Sequence, residues 1–194
     1  KTFYKEIKEV KFAFINCCEH EFSIATDCSA GANPINPVRQ YNTISAAKLQ
    51  ADKVIVIVHG GPEGYRYPTP RMKELYRFYI DSGADAVINH HQHCYSGYEL
   101  YKEKPIFYGL GNFCFDDVYI DNSSIPLVKL TENNRTGVIL ELEIQNNKVV
   151  AWREQIIYIS ENGHIKLVDD LLDINPNAVI GIFAISLHIK TLLM

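Results

Sequence analysis

Four of the seven histidines fall in two short stretches, and their types and spacing are where this chain offers chemistry. His59 closes the apolar run KVIVIV; His90, His91 and His93 follow the run AVI inside NHHQH. Imidazole is the commonest nitrogen ligand for Zn, Mn, Fe or Ni. Where an H-x-H leaves a strand still extended, alternation puts both rings on one side. His91 and His93 are thus candidate ligands of one metal, or of one metal each in a pair. Two strand ends separated by a single helix are neighbours in space, so His59 is a third candidate metal ligand facing that cluster. His90, inside the same cluster, is a candidate catalytic group. Glu63, on the glycine-rich turn HGGPEGY, is a candidate general acid/base or substrate contact. Glu19 and Glu21, in CCEHEFS, also follow an apolar run and are candidate substrate-binding carboxylates. Asn112, in GLGNF, ends another such run, and its amide is expected to anchor loops or contact substrate.

These residues need strands to hold them. Residues 10–16 (VKFAFIN) are apolar, with β-branched and aromatic side chains, and read as a strand. GANPINP over 31–37 is a loop, and the Ala-rich stretch 43–51 favours a helix. KVIVIV over 53–58 is a continuous β-branched run, the mark of a strand buried on both faces. After the Gly/Pro loop 60–68, Thr69-Pro70 has the cap and first-turn chemistry of a helix, with Met72, Leu75, Tyr76, Tyr79 and Ile80 at helical spacing and Gly83 as the stop. Short strands are expected at 86–88 and 105–110. Two alternating runs, 137–144 and 148–157, flank Asn146-Asn147 as a β-hairpin. Strand–helix–strand–helix–strand followed by a hairpin means an α/β fold with a mixed sheet. Residues 1–160 read as one domain; 161–194 form a weakly patterned, apolar tail.

With 194 residues and 47% hydrophobic content, the chain can bury a real core. A net charge of −4 argues against a general nucleic-acid binder, which needs a surplus of Lys and Arg. No apolar run reaches the length of an ordinary transmembrane helix, and residues 179–194, which carry His188 and Lys190, read as a buried or docking segment. Five cysteines, an odd number without C-x-x-C, speak against a disulfide framework; Cys17-Cys18 reads as buried thiol. A reducing compartment is compatible, and either a cytoplasmic or a cell-envelope location fits. The chain begins with Lys1, so a processed product or fragment is expected.

HGGPEGYRYP, GADAVINHHQH and KPIFYGLGNFCFD together resemble the CapA-like proteins of bacterial capsule and poly-γ-glutamate synthesis, within the calcineurin-like metallophosphoesterase superfamily. The likeness runs from about residue 10 to 116. It implies an α/β/β/α sandwich lacking its first elements. It implies two divalent ions (Mn, Zn or Fe) that clamp a phosphate ester or an anionic polymer precursor and activate water for in-line attack. His59 matches the lone metal-binding His of that superfamily, and His91 and His93 match its H-x-H pair. His90 falls on a variable position, which weakens a ligand role, and Asn89 stands where Gly is usual. Partners implied are other capsule or polyglutamate synthesis proteins. The early D-x-H, G-D and N-H motifs have no counterpart, and Asp27 and Asp52 lack their context. The alternative is therefore a truncated, non-catalytic scaffold or a polymer- or partner-binding module.

Overall fold

The computed structural model describes residues 1–20, 24–121, 123–145, 148–168 and 185–189. Its centre is a six-stranded mixed sheet in the order β1-β2-β3-β4-β6-β5. Strands β2 (Val10–Cys18), β3 (Lys53–His59), β4 (Ala86–His90) and β6 (Lys104–Phe107) run parallel. The edges β1 (Phe3–Ile7) and β5 (Tyr98–Tyr101) are antiparallel to their neighbours. Parallel pairing aligns the carboxyl ends: Cys18 lies opposite His59, and His59 opposite His90.

The KVIVIV run is the central strand, as its composition predicts, and both faces are covered. Val54, Val56 and Val58 pack with helices α1 (Pro37–Lys48) and α2 (Pro70–Asp81), through Ile44, Tyr76 and Ile80. Ile55 faces the other way, into a second core with Ile88, Phe107, Leu140 and Leu142. Those last two belong to a second sheet, ordered β10-β7-β8-β9, in which β7 (Thr136–Gln145) and β8 (Lys148–Ile159) form the expected antiparallel pair. Their connection, Asn146-Asn147, lies outside the described residues. β9 (Ile165–Leu167) and β10 (Ile185–Ile189) extend this sheet; β10 pairs parallel to β7, so five residues of the apolar tail are strand. The described layers are helix, sheet, sheet. This is a mixed α/β architecture, as expected.

The local signals worked unevenly. Thr69 caps α2 by accepting from Met72 N–H, with Pro70 at the first turn, and Gly83 follows at φ +118. Helix α1 was expected over 43–51 but spans Pro37–Lys48: the Asn36 side chain accepts from Arg39 N–H and Pro37 takes the first-turn position, so the loop's last proline already belongs to the helix. The strand expected at 105–110 is β6, shorter and starting at Lys104. β1, β5 and the short helix α3 (Glu132–Arg135) were not anticipated. All five cysteines are free; burial pushes the Cys17 thiol up to about 12, so that thiol is inert.

Candidate metal centre

The carboxyl ends of β3 and β4 and the loop after β6 surround a cleft of about 310 Å³. His59, His90, His91, His93, Asn112, Phe113, Cys114 and Phe115 line it. The histidines read from the sequence are thus brought together. His59 Nδ1 and His90 Nδ1 are 3.0 Å apart, and the His59 and His91 ring centres 4.5 Å. One ligand atom from each of Glu63, His91 and His93 falls within 4.8 Å of the others, and His91 Nε2 lies 3.9 Å from Glu63 Oε1. Two nitrogens and a carboxylate in that compass suit a divalent transition metal.

The backbone that presents these rings is strained. His91 has φ +113 and His93 φ +53, which side chains with a Cβ seldom adopt. Hydrogen bonds hold it there: the carbonyls of His90, Gln92 and His93 accept from Gly60 N–H, Gly64 N–H and Asn134 Nδ2. The H-x-H therefore leaves β4 in a turn, not in the extended form that alternation assumes, yet both rings still reach one cleft.

His93 Nδ1 is 2.7 Å from Asn112 Oδ1, while Asn112 Nδ2 donates to the carbonyl of Asn134. That second bond fixes which way the amide faces. Oδ1 must accept, so His93 carries its proton on Nδ1 and keeps the Nε2 lone pair for a ligand. Asn112 is buried and anchors loop to ring, the first of its two expected uses. Burial, then the nearby His59, His91 and His93, depress His90 to about 3, so it stays neutral at physiological pH. A neutral imidazole suits a donor nitrogen or a proton acceptor more than a proton donor.

Glu63 is exposed and joins the His91–His93 group, a placement its loop position did not reveal. The Glu19 carboxylate is taken up elsewhere: it accepts from Gly61 N–H at 3.0 Å and pairs with Arg71, bracing the loop after His59. Glu19 does not line the cleft, and Glu21 lies outside the described residues. Asp52 is at the amino end of β3, accepting from Lys11 N–H at 2.8 Å, six strand residues from His59 and so about 20 Å away. Sequence reading missed Cys114, Phe113 and Phe115 on the cleft wall. The one available signal was their place directly after GLGN.

A family model described as bacterial capsule synthesis protein PGA_cap matches residues 1–117. Over 124 residues the chain is 35% identical to the capsule biosynthesis protein CapA of Bacillus anthracis, covering 62% of this chain and 30% of that protein. Over 108 residues it is 38% identical to the PGA biosynthesis protein CapA of Bacillus subtilis (strain 168), covering 55% and 28%. The match thus spans less than a third of either relative. A crystal structure of a hypothetical protein from Thermus thermophilus aligns with a TM-score of 0.48 and 14% identity, over 80% of this chain and 60% of that one.

Proposed function

The chain belongs to the PGA_cap family of bacterial capsule synthesis proteins, and on that premise we propose that its histidine cleft is a divalent-metal site of phosphoesterase type, serving capsule or poly-γ-glutamate synthesis. The observation that carries the proposal is the meeting of Glu63, His91 and His93 within 4.8 Å, beside the His59–His90 pair. The donor set fits Mn²⁺, Zn²⁺ or Fe²⁺: imidazole nitrogens with a carboxylate, one ring already oriented by an amide. His91, His93 and Glu63 would hold one ion, and His59 with His90 offers nitrogens for a second. A bound ion would supply positive charge to a phosphoryl oxygen.

The chain's own residues do the rest. Asn112 keeps the His93 lone pair aimed into the cleft. Phe113 and Phe115 give the cleft an apolar wall that limits water around the ester. With its carboxylate on the ion, Glu63 would not also serve as the general base. The substrate is a phosphate ester or an anionic polymer precursor, and the partners are other proteins of that synthesis.

One observation favours the non-catalytic alternative: among the described residues no carboxylate other than Glu63 joins the imidazoles, and Asp52 is at the far end of β3. Hydrolysis by this chain alone is therefore expected to be slight. The proposal is tested by titrating inorganic phosphate into the chain with and without Mn²⁺, using calorimetry. Phosphate should bind only with the metal present, and not in His91→Ala/His93→Ala. Absence of metal-dependent binding in the unsubstituted chain would overturn it.

A further inference from the structure

Behind the cleft lies a buried polar group that none of the proposed chemistry uses. Asn89 is fully buried, one residue before His90 on β4. Its Nδ2 donates to three oxygens: Gly60 O at 2.9 Å, Gln92 Oε1 at 2.8 Å and Tyr108 O at 2.8 Å. Two hydrogens serve three acceptors, so one is shared. Its Oδ1 accepts from Tyr76 O–H at 2.8 Å, which ties the amide to α2.

Each acceptor lies on a segment that carries a cleft residue. Gly60 follows His59. Gln92 separates His91 from His93. Tyr108 directly precedes the GLGN segment that ends at Asn112. Gln92, also fully buried, passes the network on to the carbonyl of Tyr65, and Ser96 Oγ donates to that same carbonyl. Gly109 packs directly on this network: a Cβ there would stand 2.7 Å from Gln92 Oε1 and 2.9 Å from Ser96 Oγ.

We infer that Asn89 is the positioning residue of the cleft. One amide sets the separation between the loop carrying His59, the loop carrying His91 and His93, and the loop carrying Asn112. An apolar residue there would leave two main-chain carbonyls, of Gly60 and Tyr108, and the Gln92 side-chain oxygen buried without their donor, and the loops would move apart to find water. The strained backbone at His91 and His93 persists because Gln92, held by Asn89, lies between them. This inference rests on the metal reading of the cleft, and the test separates the two.

The test compares Mn²⁺ affinity and the imidazole ¹⁵N spectrum of the metal-free chain in three proteins: unsubstituted, Asn89→Ala, and Ile80→Ala as a core truncation away from the cleft. Asn89→Ala should weaken Mn²⁺ binding by about tenfold or more, the usual effect of losing support behind a ligand. Ile80→Ala should lower the melting temperature with affinity retained. In the metal-free chain, Asn89→Ala should also move the His59, His90 and His93 nitrogen signals towards those of free imidazole. Equal affinity loss in both variants, or unchanged imidazole signals in Asn89→Ala, would overturn the positioning role. If the unsubstituted chain bound no Mn²⁺, the metal reading would fail while the imidazole signals still judged Asn89. Should Asn89→Ala not fold, the unsubstituted chain decides: the Asn89 side-chain amide protons should exchange slowly and couple to the carbonyls of Gly60 and Tyr108, and fast exchange would contradict the clamp.

Discussion

The two ends of β3 and β4 bury ionisable groups in opposite ways. At the amino ends, Asp85 sits among three ammonium groups: Lys48 at 2.9 Å, Lys53 at 3.5 Å and Lys104 at 3.6 Å. It also accepts from Val54 N–H at 2.9 Å. Burial alone would raise its carboxyl; the Lys48 and Val54 hydrogen bonds and the Lys53 charge outweigh that and hold it below the ordinary carboxylate range. Lys53 goes down despite the same partner, because its side chain is only 3% exposed and desolvation prevails. At the carboxyl ends, four imidazoles line one cleft, and two of them, His91 and His93, meet the exposed Glu63 carboxylate on backbone held at positive φ. Folding alone completes the first arrangement. The second accumulates donor nitrogens and strain, as a site built for a ligand does.

The severest way to break this contrast is to remove the strand that joins the two ends. Ile55 is fully buried between the sheets, and Ile55→Asp places an unpaired carboxylate there, costing several kcal/mol. Denaturant unfolding should find no cooperative native state. Next comes Asp85→Ala, which leaves Lys53 buried beside two other ammoniums. The expected loss is about 3 kcal/mol, most of it from Lys53, since the Lys48 side chain is 40% exposed. Metal affinity should not change, which would separate the two ends experimentally.

Acid should separate them again, in the metal-free protein. Both groups have depressed folded-state values, so each contributes stability that is full above its unfolded value and lost as pH falls towards its folded one. For His90 the window opens near 6.5 and closes near 3, with a slope approaching about 1.4 kcal/mol per pH unit. For Asp85 it opens only below about 3.8. Melting temperature should therefore begin to fall near pH 6, and Asp85→Ala should leave that first limb in place. The smallest effect is expected from Glu63→Gln. Stability should stay within about 0.5 kcal/mol, since the side chain is 68% exposed, while calorimetric metal affinity weakens.

How much of this was legible in the sequence follows from the range of the interactions. β3, α2 and the β7–β8 pair announce themselves through local patterns of composition, capping and alternation. β1 and β5 are edge strands with mixed faces, FYKEI and YELY, and gain their strand form from the neighbour they pair with. The histidines could be found because they cluster in the chain and end strands. Their support could not. Asn134 holds the His93 carbonyl from 41 residues away, and Asn89 reaches Gly60 across 29. Glu19 looked like a site carboxylate from its place after β2, but Arg71, 52 residues on, occupies it instead.

The central claim is that Glu63, His91 and His93 hold a divalent ion. The most direct measurement is metal content by mass spectrometry after equilibrium dialysis against Mn²⁺ or Zn²⁺, for the unsubstituted chain and for His91→Ala/His93→Ala. The account predicts at least one ion per unsubstituted chain and none in the double variant, with both proteins folded. Equal metal content in the two would contradict it.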